Sequence, residues 1–213
     1  MIEVKMFNGI VQGTAKLSSI EIKNNYRTYT FYFPNNIIKN LSLGSSISSN
    51  GCCLSIVKMN KNYISFDIIN ETFNKTNFKN LNIGDSINIE TPLTLQDGIS
   101  GHLVSGHVIC TAKIINIKYN LDNFKLYLKL NNIYFMKYIF IKNFISIDGV
   151  SLTISELKSN SFCVSLIPDT LKRTIFLHKK VDDIVNIEID NNIQTIVDTT
   201  EKFIKDHISD IIK

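Results

Sequence analysis

Asn50-Gly51-Cys52-Cys53-Leu54-Ser55-Ile56 and, 98 residues further on, Asp148-Gly149-Val150-Ser151-Leu152-Thr153-Ile154 decide the fold, because the second stretch repeats the first. Asn-Gly and Asp-Gly are strong two-residue turn signals, and the run after each reads as a strand. Working outward, Ile68-Ile69-Asn70-Glu71-Thr72 returns as Leu166-Ile167-Pro168-Asp169-Thr170 at the same offset, followed in this second copy by Leu171. Ile87-Asn88-Ile89-Glu90 likewise returns as Val185-Asn186-Ile187-Glu188. Thr14-Ala15-Lys16 matches Thr111-Ala112-Lys113 at an offset of 97, so a single-residue gap lies between. Echoes in one order at a nearly constant offset mean a duplication. The copies run from Met6 to Pro92 and from Gly101 to Ile189, joined by Leu93 to Ser100. Two copies are too few for a solenoid, so each must fold as its own domain.

Within each copy, short β-rich segments such as Arg27 to Phe33 and Phe124 to Leu130 recur between turn signals. Six or so short strands per copy predict an all-β chain of two small closed barrels. Val197, Phe203, Ile204, Ile208, Ile211 and Ile212 fall largely at spacings of three and four, the stripe of an amphipathic helix over 197–213. The expected domains are therefore 6–100, 101–196 and that helix.

At 213 residues, 44% hydrophobic and 20% charged, the chain has a globular composition. Its 23 Lys and Arg are scattered among 19 acids, and a net charge of +4 without a basic block argues against nucleic-acid binding. The abundance of Ile, Lys and Asn reflects base composition more than function. Cys52, Cys53, Cys110 and Cys163 form no CxxC pair, which speaks against zinc and for reduced thiols in a cytosol. Met1 to Lys5 lack a signal-peptide pattern. The apolar run from Tyr134 to Ile147 is too short for a bilayer and is broken by Lys137 and Lys142, so a soluble protein without membrane partners is expected.

Two sets of residues could carry chemistry. His102 and His107, in Gly101-His102-Leu103-Val104-Ser105-Gly106-His107-Val108, are spaced onto opposite faces of a strand, which makes a shared metal a poor reading. A histidine at a strand start is more often structural, although flanking glycines let backbone approach a ligand closely. Cys53-Leu54-Ser55 and Ser151-Leu152-Thr153 place small thiol or hydroxyl groups at equivalent positions of both copies. Either triplet alone reads as strand-end hydrogen bonding. Their repetition instead points to two similar ligand sites. No triad elbow, GxGxxG or phosphate loop is present. Arg27-Thr28-Tyr29-Thr30 matches a flavin signature of reductase barrels, but the duplicated second half leaves no nucleotide domain, so it reads as an ordinary strand.

Together these motifs resemble the riboflavin synthase family. Met6-Phe7-Asn8-Gly9-Ile10-Val11 is similar to the family's Met-Phe-Thr-Gly-Ile-Val opening, and Asn50 to Ser55 to its Asn-Gly-x-Cys-Leu-Thr motif. Gly101 to Val108, Asp148 to Thr153 and Ile167 to Leu171 match its second-barrel motifs. The resemblance implies six-stranded Greek-key barrels and a homotrimer held by the C-terminal helices. It implies a dismutation of two 6,7-dimethyl-8-ribityllumazine molecules with no metal or redox cofactor. It also implies a first barrel facing the second barrel of a neighbouring subunit, and it admits lumazine synthase as a partner.

Carried over by position, the resemblance implies a first pocket lined by Gly9, Ile10, Val11, Cys53, Leu54, Ser55, Asp67, Ile68, Ile69, Asn70, Glu71 and Thr72. The second would be lined by Gly106, His107, Val108, Lys142, Ser151, Leu152, Thr153, Leu166, Ile167, Pro168, Asp169, Thr170 and Leu171. His107, Ser46, Cys53, Ser151 and Asp148 match the family's proton-transfer, nucleophilic or ring-orienting positions, without one being singled out as the base. Asn8, Ser55 and Asn143-Phe144 depart from the family's usual residues. The main rival is a lumazine- or flavin-binding antenna protein on the same fold; the retained His107, Ser151, Thr153 and Lys142 favour the enzyme. Met1 to Lys5 are expected to run into solvent, with Met6 as an alternative start.

Overall fold

The computed structural model describes residues 6–39, 41–120 and 123–211. The tail Met1 to Lys5 lies outside the described residues. The first copy forms β1 (Gly13–Ile22), β2 (Tyr26–Tyr32), β3 (Ser46–Ser49), β4 (Cys52–Asn60), β5 (Tyr63–Ile69) and β6 (Ser86–Glu90). They close into an antiparallel barrel in the order β1-β2-β5-β4-β3-β6. The second copy forms β7 (Cys110–Asn120), β8 (Asn123–Leu130), β9 (Phe144–Ile147), β10 (Val150–Lys158), β11 (Ser161–Leu166) and β12 (Ile184–Ile189), closed in the equivalent order. Closure pairs every strand on both sides and leaves no sheet edge.

Period-two alternation sets which side chains face inward. Cys52, Leu54 and Ile56 of β4 point into the first core, and Val150, Leu152 and Ile154 of β10 into the second. β-Bulges interrupt the register at Leu17/Ser19 and Ile56/Lys58, and at the equivalent Ile114/Asn116 and Ile154/Glu156. A bulge bends and twists its strand, which a small barrel needs in order to close. Short helices α1 (Asn35–Ile38), α2 (Asn70–Lys75) and α3 (Pro168–Arg173) cover the connections. Arg27 lies over the Phe73 ring at 3.6 Å and bonds Asn70, a structural role for the flavin-like signature.

The C-terminal helix α4 (Asn191–Ile211) opens earlier than its apolar stripe suggests. Asp190 is the reason. It accepts the Asn192 N–H on its side chain at 2.8 Å and the Gln194 N–H on its carbonyl at 3.0 Å, satisfying groups that a helix start leaves open. Ile193 and Val197 pack on the second core, and Lys137 pairs with Glu201 at 2.6 Å. Phe203 and Ile204 face outward.

The barrels meet along an approximate twofold axis. The turns Asn50-Gly51 and Asp148-Gly149, all four residues at positive φ, stand back to back, with the Gly51 Cβ position 2.6 Å from the Gly149 nitrogen. The amide groups of Asn88 and Asn186 donate across the joint to the carbonyls of Asp148 and Asn50, at 2.9 and 2.8 Å. Phe7 pairs with Val104 in an antiparallel bridge. These two are equivalent residues of the two copies, so the chain crosses itself on the axis.

Candidate active site

That crossing regroups the pockets expected from the sequence. Gly9 leaves the bridge toward the second barrel, where its carbonyl accepts the Ser151 N–H at 2.8 Å. Val11, two residues on, is buried in the second core. Gly106 goes the other way: its carbonyl accepts the Cys53 N–H at 2.9 Å, and Val108 packs on the first core. Gly9, Ile10 and Val11, expected at the first pocket, therefore belong to the mouth of the second barrel. Gly106, His107 and Val108, expected at the second, belong to the mouth of the first. The exchange needs glycine at both positions. Each has a φ of +70 or +78, and a Cβ on either would lie 2.5 Å from the Cβ of Ser151 or Cys53.

At the first mouth, Cys53 is half-buried and Ser55 exposed on the outer face of β4, and the exposed His107 directly follows Gly106, whose carbonyl holds the Cys53 N–H. Asp67 on β5 accepts a hydrogen bond from the Thr28 hydroxyl at 2.6 Å. It lies at the edge of an outer groove of roughly 490 Å³ floored by Thr28, Thr30 and Ser65. The equivalent face of the second barrel is filled by Tyr127 and the Lys125–Glu156 ion pair at 2.8 Å.

At the second mouth, His102 is buried with its Nδ1 2.6 Å from the Ser151 hydroxyl, and its ring stacks on Phe144 at 5.3 Å and 11°. Burial holds the His102 imidazole below its ordinary value, Asp190 pulling weakly the other way, so the neutral ring is favoured. Thr153 is exposed next to Phe144. Lys142 is exposed in a left-handed conformation at φ 69, where the first barrel has Gly44. Pairing of His102 with Ser151 across 49 residues is a contact that the sequence leaves unseen.

Several expected site residues do not reach the surface. Asp148 is fully buried between the barrels, its carboxylate accepting the Asn186 N–H at 2.7 Å and the Asn77 amide at 2.9 Å, with Lys179 at 3.5 Å. Burial raises its carboxyl above the usual range, with Lys179 opposing. It braces the joint and is closed off from either mouth. Ser46 is 1% exposed, opposite Ser55 in the register, with its hydroxyl unpartnered among the described residues. Leu54, Ile68, Leu152, Leu166 and Leu171 point into the cores, so only their backbones can face a ligand. Ile69, Asn70, Glu71, Ile167, Pro168 and Asp169 are exposed at the starts of α2 and α3, with Thr72 and Thr170 half-buried behind them. Among the described residues, no group of three His, Cys, Asp or Glu side chains is arranged to hold a metal, and no helix is long and apolar enough to cross a membrane.

The lumazine binding domain family matches this chain twice, over residues 8–92 and 105–190, which defines its class as a tandem lumazine-binding protein. Riboflavin synthase of Buchnera aphidicola subsp. Schizaphis graminum is 47% identical over 98% of this chain and 100% of its own length. The Escherichia coli riboflavin synthase is 46% identical over 92% of each. The yellow fluorescent protein of Aliivibrio fischeri is 33% identical over 88% of this chain and 97% of its own length. The crystal structure of LumP complexed with 6,7-dimethyl-8-(1'-D-ribityl) lumazine is similar at a TM-score of 0.79 and 25% identity, covering 87% of this chain and 99% of LumP. The chain belongs to the riboflavin synthase family.

Proposed function

We propose that the chain catalyses the riboflavin synthase reaction, in which two 6,7-dimethyl-8-ribityllumazine molecules exchange a four-carbon unit to give riboflavin and 5-amino-6-(ribitylamino)uracil. The observation that carries this reading is the pair of equivalent mouths, each with a small nucleophilic side chain, Cys53 or Ser151, backed by a glycine from the other half of the chain. A dismutation needs two sites for one compound, held so that the reacting rings meet. The mouths are chemically unlike, which suits a donor and an acceptor. The first offers Cys53, Ser55, His107 and Asp67, and Asp67 borders a polar groove in which hydroxyls alternate with charged groups such as Glu21, Lys23 and Lys58, suited to a polyol chain. The second offers a neutral His102 bonded to Ser151 and stacked on Phe144, with the exposed Ile10 directly after Gly9 and the exposed Lys142 two residues before Phe144. Proton abstraction from the 7-methyl group falls to these histidine and hydroxyl groups.

One chain does not bring two ligands together. Gly9 and Gly106 leave the antiparallel Phe7–Val104 crossing in opposite directions, Gly9 to Ser151 of the second barrel and Gly106 to Cys53 of the first. The working site therefore joins the first mouth of one subunit to the second mouth of another, and the outward Phe203 and Ile204 of α4 support a trimer built on these helices. The same reading places the trimer in the cytosol with reduced cysteines, accessible to lumazine synthase as a partner. The likeness to yellow fluorescent protein offers a non-catalytic alternative, which the retained polar residues of the second mouth disfavour. Purified chain incubated with the lumazine and EDTA should generate riboflavin fluorescence. Lumazine bound but unconverted would leave a binding protein, and restoration by added metal would overturn the cofactor-free mechanism.

A further inference from the structure

Two buried carboxylates, Glu90 at the end of β6 and Glu188 near the end of β12, occupy equivalent positions and are not used by the chemistry above. Glu90 accepts the Asn8 N–H at 2.7 Å on one oxygen and the Gly9 N–H at 3.1 Å on the other. Glu188 accepts the Ser105 N–H and hydroxyl, both at 2.7 Å, on one oxygen and the Gly106 N–H at 3.0 Å on the other. Consecutive N–H groups ahead of a left-handed glycine converge, and a two-pronged carboxylate matches them. In each case the clasped segment runs on to the mouth of the opposite barrel. Glu90, in the first barrel, grips the segment whose Val11 plugs the second core; Glu188, in the second, grips the segment whose Val108 packs on the first.

We infer that Glu188 and Glu90 are positioning residues that act across the molecule, Glu188 setting His107 and Gly106 at the first mouth and Glu90 setting Gly9 and Ile10 at the second. The inference rests on the reading that these mouths receive the ligands, but its geometry does not. Ser105 adds a hydroxyl bond that its counterpart Asn8 does not supply, since the Asn8 amide donates instead to the Gly98 carbonyl at 2.9 Å. The grip on the His107 segment is the stronger of the two.

The Cys53 thiol reports this directly, because Gly106 packs against Cys53 while Cys52, Cys110 and Cys163 are buried. Iodoacetamide labelling of the full-length protein, mapped by mass spectrometry, measures the cover. Glu188→Gln keeps the shape but presents one acceptor where two are needed, so Cys53 should be alkylated about tenfold faster, the equivalent of one lost hydrogen bond. Glu90→Gln should leave the Cys53 rate within about twofold, yet accelerate labelling of a Ser151→Cys variant that Glu188→Gln leaves alone. If Glu188→Gln does not fold, Ser105→Ala removes only the hydroxyl bond and should speed Cys53 labelling about threefold. Unchanged labelling, or equal acceleration at both positions by either variant, overturns the cross-barrel assignment. Turnover gives the second readout: on a His107→Ala background, Glu188→Gln should lower kcat no further, whereas Glu90→Gln should. Additive losses for Glu188→Gln would reduce it to a general structural role. Labelling needs no substrate, so failure to convert lumazine would sink the functional reading and leave this one standing.

Discussion

Gly106 meets two demands that only glycine satisfies together. Its φ of +78 is left-handed, and a Cβ would press to 2.5 Å from the Cys53 Cβ and 2.8 Å from its nitrogen. Gly106→Ala is expected to destabilise the protein by about 2–4 kcal/mol, because strain and overlap add. Gly44, at φ +85 with nothing within 4 Å, is the control, and Gly44→Ala should cost only about 1 kcal/mol. Urea unfolding midpoints compare the two, and equal costs would remove the close approach as a cause. Glu90 makes a pH-dependent contribution. Burial pushes it up to about 7, against backbone N–H groups that pull it down. A folded-state value above the ordinary 4.5 means that its stabilising contribution is full below about pH 4.5 and is lost as pH rises through about 7. His102, held low by burial, has the opposite slope, losing its contribution as pH falls through 6.5. Comparing wild type with Glu90→Gln cancels the histidine. The difference in thermal midpoint should drift in favour of Glu90→Gln between pH 5 and 7.5, and a constant difference would refute the assignment.

At the scale of elements, α4 divides its labour. Ile193 and Val197 pack on the second core, Tyr138 donates to Asp198, and Lys137 pairs with Glu201, so the first half belongs to its own barrel. Phe203 and Ile204 on the next turns face outward. Removing 202–213 should therefore leave both barrels folded and give a monomer with little turnover, whereas a cut at Val197 would also strip cover from the second core. A chain lacking 202–213 that still sediments as a trimer would place assembly elsewhere. The strands were legible because duplication doubles a weak signal: the Asn50-Gly51 and Asp148-Gly149 turns and the Glu90 and Glu188 strand ends mark the same points twice. The crossing was not legible. Val11 and Val108 look like the first inward residues of their own barrels, and nothing in a linear pattern says that each enters the other. His102 read as a structural residue because its partner Ser151 is brought to it only by tertiary folding. Asp148 matches a family site position by motif alone, and the motif does not tell that the joint between the barrels encloses its side chain completely.

For the whole molecule, the approximate twofold has a consequence for assembly. The axis passes through the Phe7–Val104 crossing and the back-to-back glycine turns, so the two mouths lie on opposite sides of it, one at each barrel. On the proposed reading a reaction between two ligands draws its mouths from different chains, each subunit contributing one half to each of two sites. This arrangement predicts complementation. His107→Ala damages the first mouth and leaves the second intact; Ser151→Ala does the reverse. Each variant alone should turn over lumazine poorly, since every site in a homogeneous trimer carries one damaged half. Unfolded together in equal amounts and reassembled, the two variants should recover about a quarter of wild-type activity, because one site in four pairs an intact first mouth with an intact second in a randomly mixed closed ring. Mixing the folded trimers without reassembly should recover none. Activity that stays at the level of the separate variants after verified subunit exchange would place both ligands within one chain, and the intersubunit site would have to be abandoned.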